Sequence, residues 1–453
     1  MRHSALSIVA LIVFGAVIGG AQSASAETLG DAIASAYQRN PTLLAERKAR
    51  AIADENLKQA KSQRLPQVSL TSSLGLEETE TTRDFGGGAL PGFGDQSNRI
   101  ASAGIEARQS LYAGGRIAAG VRQARAGVDS ADGELEAASQ SLILDVVTAY
   151  VDVISDEASH EIRKNNVNVL EQQLQAASDR FDVGEVTRTD VAQAEARLSG
   201  AEADLAASRA QLESTRALFA ELVGRAPVQL EPYPPAPGLP AELEEAIELA
   251  LAANPSLAAS RASEAAAEQA VKVARGQLRP NVDLVGAAGV QETNSDDTFR
   301  DSNASLTAQF QMPLFQGGLL RSQVRSAKLQ YDQARLQTQA IERSLIANVS
   351  RAWYNVISAN RAIESSRRQV AAAEIAFEGA EQELSVGLRT TLDVLDQEQE
   401  LLEARLGFVL AERTAYVATH QLLQSLGGLT PEALAVNTPL YDPDVYSQSL
   451  TRN

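Results

Sequence analysis

The feature that most constrains this chain is an internal duplication. Asn40-Pro41 recurs as Asn254-Pro255, and Arg64-Leu65-Pro66 returns as Leu278-Arg279-Pro280, both 214 positions later. Leu29, Ala32, Ile33, Val68, Leu70, Gly75 and Glu78 recur at the same offset. Further on, Leu111-Tyr112-Ala113-Gly114-Gly115 pairs with Leu314-Phe315-Gln316-Gly317-Gly318, Val183-Gly184 with Val386-Gly387, and Gly224 with Gly427, now at an offset of 203. The offset falls from 214 to 203 between Glu78 and Leu111, so the first copy carries 11 more residues there. A repeat of this length is one structural unit used twice about a pseudo-symmetry axis. Shared Ala/Glu-rich composition does not explain it, because the Pro and Gly punctuation repeats as well.

The expected organisation is a first unit over 27–224, a Pro-rich connector over 225–240, a second unit over 241–427, and an irregular tail over 428–453. Residues 1–26 read as a secretory signal peptide. A basic Met1-Arg2-His3 start precedes an apolar run from Ala5 to Ala21, and Ala24-Ser25-Ala26 offers an A-x-A cleavage site. The chain has no cysteine, which excludes disulfides, thiolate metal sites and a lipid-modified cysteine. A formal charge of −18 argues against a nucleic-acid partner, whose phosphates attract Lys and Arg. No later stretch reads as a transmembrane helix, so a membrane span would have to be built from strands.

Each unit opens with a short helix ending at Asn-Pro, and a second helix follows until Pro66 or Pro280 stops it. Alternation then marks two strands per unit, near 67–77 and 100–110, and near 282–291 and 303–312. Val68, Leu70, Leu74 and Leu76 alternate with small polar residues, as do Leu306, Ala308, Phe310 and Met312. Such segments suit tilted membrane strands, or half-buried strands of a soluble sheet. The Gly86-Gly87-Gly88 stretch lies between two strands, so it reads as loop rather than as a phosphate cradle. After Gly114-Gly115 and Gly317-Gly318 come heptad-spaced helical stretches, Val121, Ala124, Val128, Ala131, Leu135, Ala138 and Leu142 in the first copy. At 1.5 Å per residue, about 65 residues span roughly 100 Å. Val183-Gly184 and Val386-Gly387 interrupt these helices, and Thr187-x-x-Asp190 and Thr390-x-x-Asp393 resemble capping boxes that start the return. Each unit therefore ends in an antiparallel helical hairpin over 116–223 or 319–426, its tip at Gly184 or Gly387 and far from the strands.

Four membrane strands leave open edges, which lipid does not tolerate. Closure has to come from several chains: two give eight strands and a filled interior, three give twelve and room for a lumen. A long helical tube beneath an open barrel is a duct.

At this point the residues resemble a known family. The duplicated unit, the Pro313-Leu314-Phe315-Gln316-Gly317-Gly318 turn and the tip segment Val386 to Asp396 are similar to TolC-type outer-membrane efflux proteins over essentially the whole mature length. The resemblance implies an α+β membrane protein: a homotrimer with a 12-stranded β-barrel in outer-membrane lipid and a long α-helical periplasmic tunnel. It implies docking by a periplasmic adaptor and an inner-membrane transporter, for type I secretion or multidrug efflux in a Gram-negative bacterium. It also implies closure of the tunnel at its periplasmic tips. Asp393 and Asp396 match the paired tip aspartates, whose six carboxylates in a trimer would form an acidic ring selecting cations. From the residues alone, Asp393 reads first as a first-turn helix residue helped by the macrodipole. Arg389 matches the family's gate arginine, and Thr189 and Asp190 match its partners on the neighbouring hairpin. Leu384 stands where the best-known member has a gate tyrosine, which implies greater reliance on Arg389.

Two other classes compete with a duct. An enzyme lacks its residues here: His160 and His420 sit at non-equivalent repeat positions and read as surface or packing residues, and Trp353, paired with Tyr150, reads as helix packing. No catalytic, cofactor or metal site is expected. A periplasmic coiled-coil adaptor or scaffold would carry one hairpin and extra β domains, whereas this chain has two hairpins and four alternating strands.

Overall fold

The computed structural model describes residues 26–79, 84–85, 88–89, 96–294 and 298–443. Nearly all of the expected signal peptide lies outside the described residues, as does most of the loop between the first two long strands.

Corresponding elements of the two copies agree in length. Helices α1 (Leu29–Arg39) and α5 (Leu243–Ala253) have 11 residues each. Helices α2 (Pro41–Ser62) and α6 (Pro255–Gly276) have 22, and α3 (Arg116–Asp182) and α7 (Leu319–Ser385) have 67. The return helices are α4 (Arg188–Val223) and α8 (Thr391–Ser425). At 1.5 Å per residue, α3 and α7 are each about 100 Å long.

The repeated Asn-Pro has a physical reason. Asn40 ends α1 and caps α2, its carbonyl accepting from Thr42 N–H at 2.9 Å while its amide donates to the Leu222 carbonyl at 3.2 Å. Asn254 does the same, accepting from Leu257 N–H and donating to the Ser425 carbonyl, both at 3.1 Å. Pro41 and Pro255 follow at the first helical position, where no N–H is missed. One side chain thus starts a helix and ties down the end of the hairpin's return helix.

Strands β1 (Gln67–Thr79), β4 (Gln96–Ala113), β5 (Asn281–Asn294) and β6 (Thr298–Gln311) form one antiparallel sheet in that order, and are longer than alternation suggested. A minor pair, β2 (Asp84–Phe85) and β3 (Gly88–Ala89), lies in the long first loop where only loop was expected. The two units meet through β4 and β5, leaving β1 and β6 as free edges.

Directly paired residues share a face, so the register sorts the side chains. Leu70 pairs with Ile105, Ile105 with Ala288, and Ala288 with Ala304; Val68, Leu74, Leu306 and Phe310 join this apolar face. The other face carries Ser69, Thr71, Ser73, Glu106, Ser305 and Thr307. Leu70, Leu74 and Leu306 are 77%, 86% and 75% exposed, so nothing among the described residues covers the apolar face. At the helix end of the sheet, Arg108 and Asp283 form an ion pair at 2.6 Å.

The main core sits where the short helices surround the long ones. Ile33, Leu43, Ile143, Tyr150, Phe219 and Leu429 are buried in one cluster, and Leu257, Val349 and Leu422 anchor a second. Trp353 packs beside the second cluster. The connector zips onto the N-terminus: Glu27 N–H donates to the Gln229 carbonyl at 2.7 Å, and the Tyr150 hydroxyl lies 2.7 Å from the Glu231 carbonyl. One stretch of α3 departs from the sequence expectation, being long and apolar enough to cross a bilayer, but more than half of it is buried inside the protein. It is a core helix; Val146, Val147, Tyr150 and Val151 face the first cluster.

Every seventh residue of α3 from Ala119, namely Ala126, Gly133 and Gln140, is also buried. Within this stripe Gly133 faces α6, the short helix of the other unit, and Gln140 donates to the Gly427 carbonyl at 2.9 Å. A Cβ on Gly133 would stand 2.8 Å from the Pro255 carbonyl oxygen and the Ala259 nitrogen, so the two backbones touch there.

Candidate functional site at the helical tips

Both tips are built by the same two devices. At the end of α3, Gly184 (φ +81°) donates its N–H to Phe181 O, and Glu185 donates to Arg180 O, each at 2.9 Å. At the end of α7, Gly387 (φ +79°) donates to Leu384 O at 3.0 Å, and Leu388 donates to Glu383 O at 2.8 Å. These are Schellman closures, and the left-handed residue between them favours glycine. The chain then re-enters helix through capping boxes. Asp190 Oδ2 accepts from Thr187 N–H and hydroxyl at 2.8 Å, and Asp393 Oδ2 accepts from Thr390 at 2.9 and 2.8 Å.

These bonds set the electrostatics. The Thr187 donors hold the Asp190 carboxyl below the usual carboxylate range. The Thr390 donors do the same for Asp393, with a smaller contribution from the nearby Arg389 charge. Both groups are therefore anionic well below neutral pH.

The remaining tip residues are engaged within the chain. Arg389 Nε donates to Glu383 Oε2 at 2.6 Å, bridging its own turn. Among the described residues no hydrogen bond or ion pair joins Arg389 to Thr189 or Asp190 within the chain. Thr189 is exposed and Asp190 is committed to its cap. Asp396 is held by Arg197 at 2.8 Å, a tie from α4 to α8. Leu384 is half-buried, while Val183, Val386 and Leu388 are exposed by 72%, 68% and 77%. Just above the turns, Leu170, Ala177, Ala194 and Leu395 bury one another between α3, α4 and α8.

Sequence reasoning missed three members of this region. Glu383 and Arg197 carry no motif, and their repeat counterparts, Arg180 and Glu400, have opposite charges. The third is Glu398, 6% exposed on α8, which accepts from the Asn166 side chain at 2.8 Å. Burial pushes its carboxyl above the ordinary value despite that bond. Its position two residues beyond Asp396 gave no signal, because an acid in a Glu-rich helix reads as solvated.

No cluster able to hold a metal ion occurs among the described residues. His160 Nδ1 lies 2.9 Å from the Ser208 hydroxyl. His420 is fully buried against Tyr416, its ring 4.4 Å away, and burial lowers its pKa. Among the described residues, neither histidine is hydrogen-bonded to a carboxylate that would make it a base for nucleophilic chemistry.

Comparison with known proteins agrees with this geometry. The model of the family described as outer membrane efflux protein matches residues 32–225 and 246–428, the two units in turn. The chain is 32% identical over 442 residues to outer membrane efflux protein BepC of Brucella suis, covering 97% of this chain and 94% of that one. It is 26% identical over 452 residues to outer membrane protein TolC of Escherichia coli, covering 95% and 89%. Among solved structures, the outer membrane protein VceC of Vibrio cholerae superposes with a TM-score of 0.75 at 24% identity, covering 88% of this chain and 96% of that one.

Proposed function

The chain belongs to the outer membrane efflux protein family, and from that premise we propose that it works as a trimeric duct carrying substrates out across the outer membrane of a Gram-negative bacterium. The observation that carries this reading is a four-stranded sheet with both edges free and an uncovered apolar face, mounted on helices of 67 residues. Pairing β6 of one copy with β1 of the next satisfies both edges. Three copies then close twelve strands around a lumen, apolar to lipid and polar within. The units over 27–224 and 241–427, joined by the 225–240 connector, supply six hairpins to the periplasmic tunnel. Residues 1–26 act as the export signal and 428–453 as a tail. The four-stranded sheet disfavours a periplasmic adaptor or scaffold.

The tips serve as the gate. Asp393 and Asp396 from three chains form an acidic ring that selects cations. Arg389 reaches Thr189 and Asp190 of the adjoining hairpin, while Glu383 and Arg197 hold Arg389 and Asp396 within each chain. The tip glycines Gly184 and Gly387 let the hairpins turn, and exposed Val183, Val386 and Leu388 offer an apolar end to a periplasmic adaptor coupled to an inner-membrane transporter. Both type I secretion and multidrug efflux fit such a duct.

Light scattering of the detergent-extracted protein and conductance in planar bilayers test this reading. A three-chain particle with cation-selective conductance is expected. A monomer that salt washes from membranes refutes it.

A further inference from the structure

An acid sealed between helices is costly unless a cation or several hydrogen bonds hold its charge. Glu398 lies five residues past the Asp393 cap, about 7.5 Å along α8, and is 6% exposed. Asn166 of α3, itself 6% exposed, donates its Nδ2 to Glu398 Oε1 at 2.8 Å. The repeat counterparts of this pair, Glu195 and Gln369, are both exposed, so the burial is particular to the place where α8 lies on α3.

The charges that face Glu398 are already engaged. Arg405 of α8 pairs with Glu374 of α7 at 2.9 Å, and Glu381 of α7 accepts from Gln173 of α3 at 3.0 Å. Helix α4 fills this level with Ala194 and Leu198, and its Arg197 is held by Asp396. Helix α3 contributes the neutral Asn166. Burial outweighs the Asn166 bond and the pull of Arg405, so the carboxyl keeps its proton above the ordinary carboxylate range.

We propose that Glu398 is the buried latch of the closed tip: protonated, it stays against Asn166 and holds α8 on α3; ionised, it draws water into the seam and lets the two hairpins part. This latch presupposes the gating reading above and adds a positioning residue to it, one that acts through the helix it holds. It differs in kind from the Arg197–Asp396 tie, which is exposed and screened by salt. Opening hydrates the carboxyl and returns it to its ordinary value. The open state therefore binds fewer protons over a window that begins at about pH 4.3 and ends at the raised value of the closed state. Rising pH through that window favours opening. Three latches release together in a trimer, so the open-to-closed ratio climbs by as much as about a thousandfold per pH unit.

Single-channel recording of the full-length protein in planar bilayers, between about pH 5 and pH 8, tests the latch. Open probability of the wild type should rise with pH. Glu398→Gln keeps the size and the amide bond but has no proton to lose, so its open probability should be low and flat. Arg197→Ala should raise the whole curve and leave its slope, because it removes a tie and not the titrating group. A slope that survives Glu398→Gln refutes the latch while the duct stands. A wild type that forms no conducting particle brings down both readings. The absence of cysteine supplies a second readout, because Ala177→Cys, at a site 2% exposed in the cluster joining α3, α4 and α8, reports opening by its rate of reaction with a maleimide. Measured with and without Glu398→Gln at each pH, the two rates share the thiol's own titration, which cancels in their ratio. The rate with Glu398 in place, divided by the rate with Glu398→Gln, should rise with pH, and a constant ratio overturns the latch.

Discussion

Arg197→Ala is the most informative perturbation of the tip. Its guanidinium joins Asp396 at 2.8 Å across α4 and α8, with the side chains 42% and 53% exposed. On the proposed gating, opening the tip moves the α7–α8 hairpin relative to the α3–α4 hairpin, so this tie has to break. An exposed pair is worth about 0.5 kcal/mol. Opening is concerted in a trimer, so three pairs break together and the loss is about 1.5 kcal/mol, roughly tenfold in the open-to-closed ratio. Adding Arg389→Ala removes in addition the three proposed ties to Thr189 and Asp190 of the adjoining hairpin and raises the total to about 3 kcal/mol, on the order of 100-fold. The assay is single-channel recording in planar bilayers, with open probability as the readout. Screening gives an internal check, because the Debye length falls to about 3 Å in 1 M salt and high salt should close the gap between wild type and variant. The reasoning fails if Arg197→Ala gates as wild type does. It also fails if the swapped double variant Arg197→Asp with Asp396→Arg does not recover closure.

Glu398→Gln should flatten a pH dependence. Burial raises the Glu398 pKa, so the folded chain keeps its proton where the unfolded chain has lost it. The resulting stability is complete below roughly pH 4.3 and is lost as pH rises through the folded value. The variant should therefore melt higher than wild type at pH 8 and no higher at pH 4; equal melting at both would refute the burial argument. Gly427→Ala should cost more than Gly224→Ala, although both are left-handed at φ +78° and +84°. The conformational penalty is about 1–2 kcal/mol for each, but only at Gly427 does the new Cβ come within 2.4 Å of the Ala253 carbonyl. Equal shifts in thermal melting would show that the contact relaxes. Leu74→Lys should reduce the yield of barrel protein extracted from membranes, costing about 2–4 kcal/mol on a lipid-facing position, while Ser73→Lys on the opposite face should be tolerated. The reverse order would invert the sheet.

What the sequence disclosed was whatever the duplication wrote twice. Asn40 and Asn254, the tip glycines and the two Thr-x-x-Asp boxes each satisfy the same backbone groups in both units, so repetition and local chemistry agree. Alternation found four strands, because a sheet with one apolar face must repeat every second residue. The misses fall where the copies differ. Arg197 meets Asp396 only because α4 and α8 lie side by side, and its repeat counterpart Glu400 would repel that partner. The joining of β4 to β5 is likewise a long-range choice that no local pattern encodes. The apolar stretch of α3 is hard to see in the sequence because Asp145 and Asp152 interrupt the valines that reach the core.

The two free edges, β1 and β6, also shape the life of the newly made chain. A lone subunit presents unpaired backbone along both sides of its sheet and apolar side chains across one face, the signature of a template for wrong pairing. It cannot settle in lipid by itself, so entry into the bilayer waits on the meeting of subunits and accelerates steeply with their concentration. Uncovered strands of this kind aggregate in competition with folding, so delay in that meeting favours misassembly. The helical half carries no such liability, its backbone bonds being satisfied within each helix. The long hairpins can therefore fold first and bring three sets of strands into register before any of them touches the membrane.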